Sequence, residues 1–121
     1  MEHEAFGGHD VHVVRLDELR KRADAVCKDR CLPGVTITVR RVPGSVAMCY
    51  PEDGRIILGP KRGKNLLTLA HELAHYVVHH KHPKAKDHGP TFIRVYAEIV
   101  EELGVIPKDA FLKVARKHGL L

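Results

Sequence analysis

The segment from Lys64 to about His80 dictates more about the rest of the chain than any other, because its apolar residues leave almost no face for water. Read at 3.6 residues per turn, Leu66, Leu69, Ala70, Leu73 and Val77 form one stripe. Leu67, Ala74 and Val78 widen the apolar arc toward the opposite side. A helix patterned this way has to be packed on more than one side. The chain has 121 residues, enough for one modest core and too few for two ordinary domains, so this helix is the central element of a single unit. The histidines on its second side, His71 and His75, are then expected to face a cleft and not bulk water.

The flanking segments supply the packing partners. From about Arg15 to Lys28, Leu16, Leu19, Ala23 and Val26 recur at helical spacing, and Pro33-Gly34 follows as a break. Val35 to Val42 alternates β-branched residues, Val46 to Tyr50 is a second extended stretch, and Pro51-Glu52-Asp53-Gly54 is turn chemistry leading into Arg55 to Leu58. These three runs predict a small antiparallel meander. A polar loop from Lys81 to Gly89 leads into a helix from Pro90 to Leu103, with Pro90 at a first helical position and Gly104 closing it. Pro107 opens a last short helix with Phe111, Val114 and Ala115 inward. The expected fold class is α+β. A small antiparallel sheet packs against an N-terminal helix, the His-bearing helix and two C-terminal helices, with residues 1–14 flexible.

Met1 to Asp10 lacks the basic and apolar stretches of a secretory signal, and no run approaches the roughly 18 apolar residues of a membrane span. The expected location is the cytoplasm, which suits Cys27, Cys31 and Cys49, an odd number without zinc-ribbon spacing. A formal net charge of +5 permits polyanion binding without requiring it. Lys61, Arg62 and Lys64 precede the central helix and Lys81, Lys84 and Lys86 follow it, so these six are the candidate nucleic-acid contacts. Neither group is interleaved with aromatic side chains, and solvated loops explain them equally well. Gly59 to Asn65 is not a phosphate-binding P-loop, because its glycine spacing is short by one and Asn65 replaces the magnesium-binding hydroxyl.

His71-Glu72-Leu73-Ala74-His75 is an H-E-x-x-H motif, whose four-residue step puts both imidazoles on one helix face within reach of one metal ion. Glu72 lies about 100° round from His71, beside such an ion, where it can take a proton from a zinc-bound water whose pKa the metal lowers to roughly 7. Ten His and eight Glu make a chance H-E-x-x-H about a one-in-twenty event, so the apolar context has to carry the argument. A catalytic zinc site takes three protein ligands and keeps one position open. His88 is the best third ligand, since the loop before it can turn the chain back over the cleft and Gly89 permits a tight turn. Glu98 is its rival, although it shares the polar side of its helix with Arg94, a natural surface partner. His79 lies about 12 Å along the axis from His71 and is too far. The longer metzincin motif is excluded by Val78 and Lys81. His3, His9, His12, His80, His82 and His118 read as solvated histidines.

The run His71-Glu72-x-x-His75, followed by a short basic loop and then His88-Gly89-Pro90-Thr91-Phe92, resembles the SprT/Spartan family of zinc metalloproteases. The resemblance spans roughly Arg55 to Leu103. It implies a minimal zincin-like fold, one Zn2+ held by His71, His75 and His88, Glu72 in catalysis, and Phe92 as a packing residue seating the second helix. Members acting on DNA-crosslinked proteins often add a C-terminal zinc ribbon, and no cysteine follows Cys49 here.

The expected activity is therefore that of a zinc metalloendopeptidase with a protein or peptide substrate. Glu72 serves as general base, Tyr76 or Tyr96 stands as an open choice of oxyanion donor, and Arg55 to Leu58 pairs with substrate if it is the sheet edge. The alternative is a non-catalytic, zinc-stabilised binding module docking on DNA or other nucleic acid through the basic loops. Oligomeric state is not written in the sequence.

Overall fold

The computed structural model describes residues 12–121. Expectations about residues 1–11, including the flexibility expected of that part of the N-terminal segment and the readings of His3 and His9, lie outside the described residues. Those described contain four helices and three strands, α1 (Leu16–Asp29), β1 (Thr36–Val39), β2 (Ala47–Tyr50), β3 (Arg55–Leu58), α2 (Leu66–Lys81), α3 (Pro90–Glu102) and α4 (Lys108–Lys117). The chain is an α+β fold in which α2 lies at the centre.

Leu67, Leu69, Ala70, Leu73, Ala74, Tyr76, Val77 and Val78 of α2 are all buried, as an all-round apolar helix requires. It packs on α3 along one flank, on β2 and β3 along another, and on α1. Helix α1 contributes Leu19, Ala23, Val26 and Cys27 to this core. It stops at Asp29, ahead of Pro33, where Cys31 takes a left-handed φ of 57°. Helix α3 begins with Pro90 after Gly89 and ends in a Gly104 turn at φ 76°, with the Val105 N–H bonded back to the Val100 carbonyl. From α4, Phe111 and Ala115 are fully buried and Val114 half-buried.

The sheet corrects the expected antiparallel meander. Its order is β1-β3-β2, with β2 antiparallel to β3 as the turn at 51–54 dictates, and β1 parallel to β3. The seven residues between β1 and β2 can span roughly 23 Å, far more than the ~10 Å needed to pass over one strand. They carry the chain past the position that β3 then fills. Arg55 to Leu58 is thus the central strand and not the edge expected to receive substrate, and β2 holds the edge beside α2.

The link from β3 into α2 fixes where the His-bearing helix starts. Gly59 donates to the Val46 carbonyl at 2.8 Å, and the Asn65 side chain caps α2 by accepting from the Thr68 N–H at 2.8 Å. Gly63 is wedged in this link, where a Cβ would collide with the Val46 carbonyl oxygen and lie 2.6 Å from the Gly59 nitrogen.

Candidate metal centre

Two turns of α2 and one loop converge. His71 and His75 stand on one face of the helix with ring centroids 4.9 Å apart, and His88 arrives from the loop with its centroid 5.3 Å from His71 and 4.7 Å from His75. One ligand atom from each of the three lies within 4.8 Å of the others. The Nε2 atoms of His75 and His88 are 2.9 Å apart. Tetrahedral zinc with bonds near 2.0–2.1 Å separates its donors by about 3.3 Å, so three neutral imidazoles at this spacing fit a single ion with the fourth position open. His88 is the outermost, its side chain 40% exposed.

Phe92 forms the floor. Its ring is 5.3 Å from His71, 4.6 Å from His75 and 4.8 Å from His88, and it is fully buried. The packing role implied for it is thus directed at all three ligand rings. Behind it Tyr96, also fully buried, sets its ring 5.4 Å from His71 and 4.7 Å from Phe111. That contact was invisible in the sequence, where an aromatic residue on an apolar helix signals packing alone. Tyr76 is not an oxyanion donor, because its buried hydroxyl donates to the Pro33 carbonyl at 2.7 Å.

Glu72 is the only charged side chain among the buried described residues. Taking a carboxylate out of water costs several kcal/mol unless a partner compensates. Here one oxygen accepts from His71 Nδ1 at 2.8 Å. On β2, burial, reinforced by the Glu72 charge, pushes the Cys49 thiol up to about 12. His75 is pushed below the usual histidine range, first by burial and then by the neighbouring His71.

The loop before His88 consists of two successive turns, with Ala85 donating to the His82 carbonyl and Gly89 to the Lys86 carbonyl. The residue that takes the left-handed conformation is His88 itself, at φ 56°, while Gly89 sits at −81°. The expectation that Gly89 supplies the tight turn is corrected accordingly. A Cβ at Gly89 would sit tightly, 3.1 Å from the Lys86 Cβ and 3.3 Å from the Lys86 carbonyl oxygen. Asp87, not singled out from the sequence, brings Oδ1 to 3.4 Å from His75 Nδ1.

Other candidates stay apart. Glu98 is exposed and lies 3.5 Å from Lys108 Nζ, so its partner is Lys108 and not the expected Arg94, and it takes no part in the cluster. Lys61, Arg62 and Lys64 stand at the start of α2 and Lys81, Lys84 and Lys86 at or beyond its end, separated by a 16-residue helix of about 24 Å. Fold and site together define a small α+β domain built round an H-E-x-x-H helix with a three-histidine centre. The SprT-like family profile matches residues 16–118, and the chain belongs to that family. No curated protein and no solved structure matches it significantly. Among the described residues no helix is long and apolar enough to cross a membrane.

Proposed function

We propose that the chain is a zinc metallopeptidase that hydrolyses peptide bonds, with His71, His75 and His88 holding the ion. The observation that carries this reading is Glu72, the lone buried charge among the described residues, set one residue from His71 inside a cluster of three histidines. A zinc ion so held supplies a Lewis acid for the scissile carbonyl and acidifies water at neutral pH. Glu72 takes the proton of the attacking water and delivers it to the leaving amine. Its one oxygen engaged by His71 fixes the carboxylate, leaving the other to face the water. The apolar floor of Phe92 and Tyr96 keeps the ligand rings in a low-dielectric setting, where such proton transfers gain strength.

An extended substrate has one natural seat. Strand β2 holds the sheet edge beside α2, with half-buried Cys49 in the field of the Glu72 charge, so backbone pairing along Ala47–Tyr50 would lay a peptide alongside α2. The test is Glu72→Gln, assayed for zinc content by elemental analysis and for cleavage of an unfolded protein with and without DNA. We expect about one zinc per chain retained and cleavage abolished in both arms. Full cleavage by Glu72→Gln overturns the mechanism, and a wild type that holds zinc but cleaves nothing favours the binding-module reading.

A further inference from the structure

The turn that delivers His88 delivers a second side chain to the centre. Lys86 to Gly89 closes on itself, with the Gly89 N–H 3.1 Å from the Lys86 carbonyl oxygen, which makes Asp87 and His88 its two central residues. His88 meets His75 at Nε2, 2.9 Å away, and Asp87 meets the same ring at Nδ1, 3.4 Å away. One turn thus addresses both edges of one imidazole.

The two nitrogens of a histidine are not equivalent once one of them carries the proton. A carboxylate beside Nδ1 stabilises the proton there and leaves the Nε2 lone pair pointing into the cluster. Asp87 is not itself in the converging ligand set, which among the described residues comprises the three histidines, and its Oδ1 lies 3.9 Å from His88 Nε2. With a side chain 76% exposed, it is not held there by packing. His71 shows the same pattern from the other side, its Nδ1 already occupied by a carboxylate, Glu72. Both helix-borne ligands therefore present Nδ1 to an acidic residue.

We propose that Asp87 is a positioning residue that holds His75 in the tautomer and orientation that bind the metal. This rests on the reading of the three histidines as a metal centre and extends it to a residue outside the ligand set. The test uses the full chain as wild type, Asp87→Ala, Asp87→Asn and the remote, exposed Glu52→Ala, each stripped with a chelator. Zn2+ affinity is measured against a chromophoric competitor, and the melting temperature of the metal-free form is the second readout. Wild type and Glu52→Ala should bind one zinc equally. Asp87→Ala should bind one zinc about 10- to 100-fold more weakly at an unchanged metal-free melting temperature. Asp87→Asn, which keeps a polar oxygen beside Nδ1 but removes the charge, should fall between. Undiminished affinity in Asp87→Ala overturns the proposal, as does a loss matched by a fall in the metal-free melting temperature. A wild type that binds no zinc overturns both this proposal and the metal-centre reading. Zinc binding weakened by Asp87→Ala in a protein that cleaves nothing upholds the proposal and removes only the peptidase.

Discussion

The candidate metal centre has two halves built on opposite terms. His71 and His75 ride on α2, whose backbone is fixed by its own hydrogen bonds and by fully buried Leu69 and Leu73 on its other faces. His88 rides on a pair of turns, in a left-handed conformation that costs a non-glycine residue about 1–2 kcal/mol, with its side chain 40% exposed. The helix half owes its geometry to the core, whereas the turn half owes its geometry to what it grips. An ion gripped by all three histidines would tie the loop to the core.

Leu73→Ala is the largest expected blow to the helix half. Leu73 is fully buried between the two ligand positions, and its truncation should cost about 2–5 kcal/mol, read by urea denaturation of the metal-free protein. Gly63→Ala attacks the same half from its N-terminus. The colliding atoms are backbone and cannot rotate away, so we expect a loss of about 1–3 kcal/mol. If either change left stability intact while zinc affinity fell, the helix half would be no more core-determined than the turn.

This division also sets what could be read in advance. The i, i+4 histidines, the glutamate between them and the apolar arc are periodic signals, and periodicity survives in a linear sequence. The chain reversals at Gly104 and at 51–54 were equally legible through glycine and turn chemistry. What depended on non-local choice was not. Nothing local in Val35 to Val42 says that its neighbour is β3 and not β2, since a seven-residue connection permits both. The left-handed φ fell on His88 although glycine stood next to it, and in that conformation its imidazole meets His75. Asp87 had no spacing signal, its meaning arising only once the turn had folded back.

His88→Gly sharpens the contrast in the opposite direction. Glycine adopts a positive φ without the Cβ penalty, though it loses more backbone entropy on folding, so the metal-free protein should gain up to about 1 kcal/mol. Zinc binding should drop out at the same time, as measured by elemental analysis. A ligand whose removal stabilises the metal-free fold is one that the fold is strained to present. A loss of stability instead would show that the His88 ring, packed on Phe92, stabilises the loop by more than its backbone costs.

A pH dependence tests the same division by a different route. Burial is the leading cause of the lowered His75 pKa, with His71 and then His88 acting in the same direction and Glu72 and Asp87 against it. In the unfolded chain His75 titrates near 6.5 and in the folded, metal-free chain lower. Between those two values the unfolded state binds more protons, so stability rises with pH across that window. It is fully present above about pH 6.5, declines as the pH falls toward the folded value, and levels off below it. One proton limits the slope to about 1.4 kcal/mol per pH unit. Urea midpoints of the metal-free protein taken from pH 4.5 to 7.5 should show the slope in wild type and in His88→Gly alike, and a smaller one in His75→Gln. Since the leading cause belongs to the helix and its core, disappearance of the slope in His88→Gly would mean that the loop, not the helix, buries His75. The two halves would then have to be treated as one.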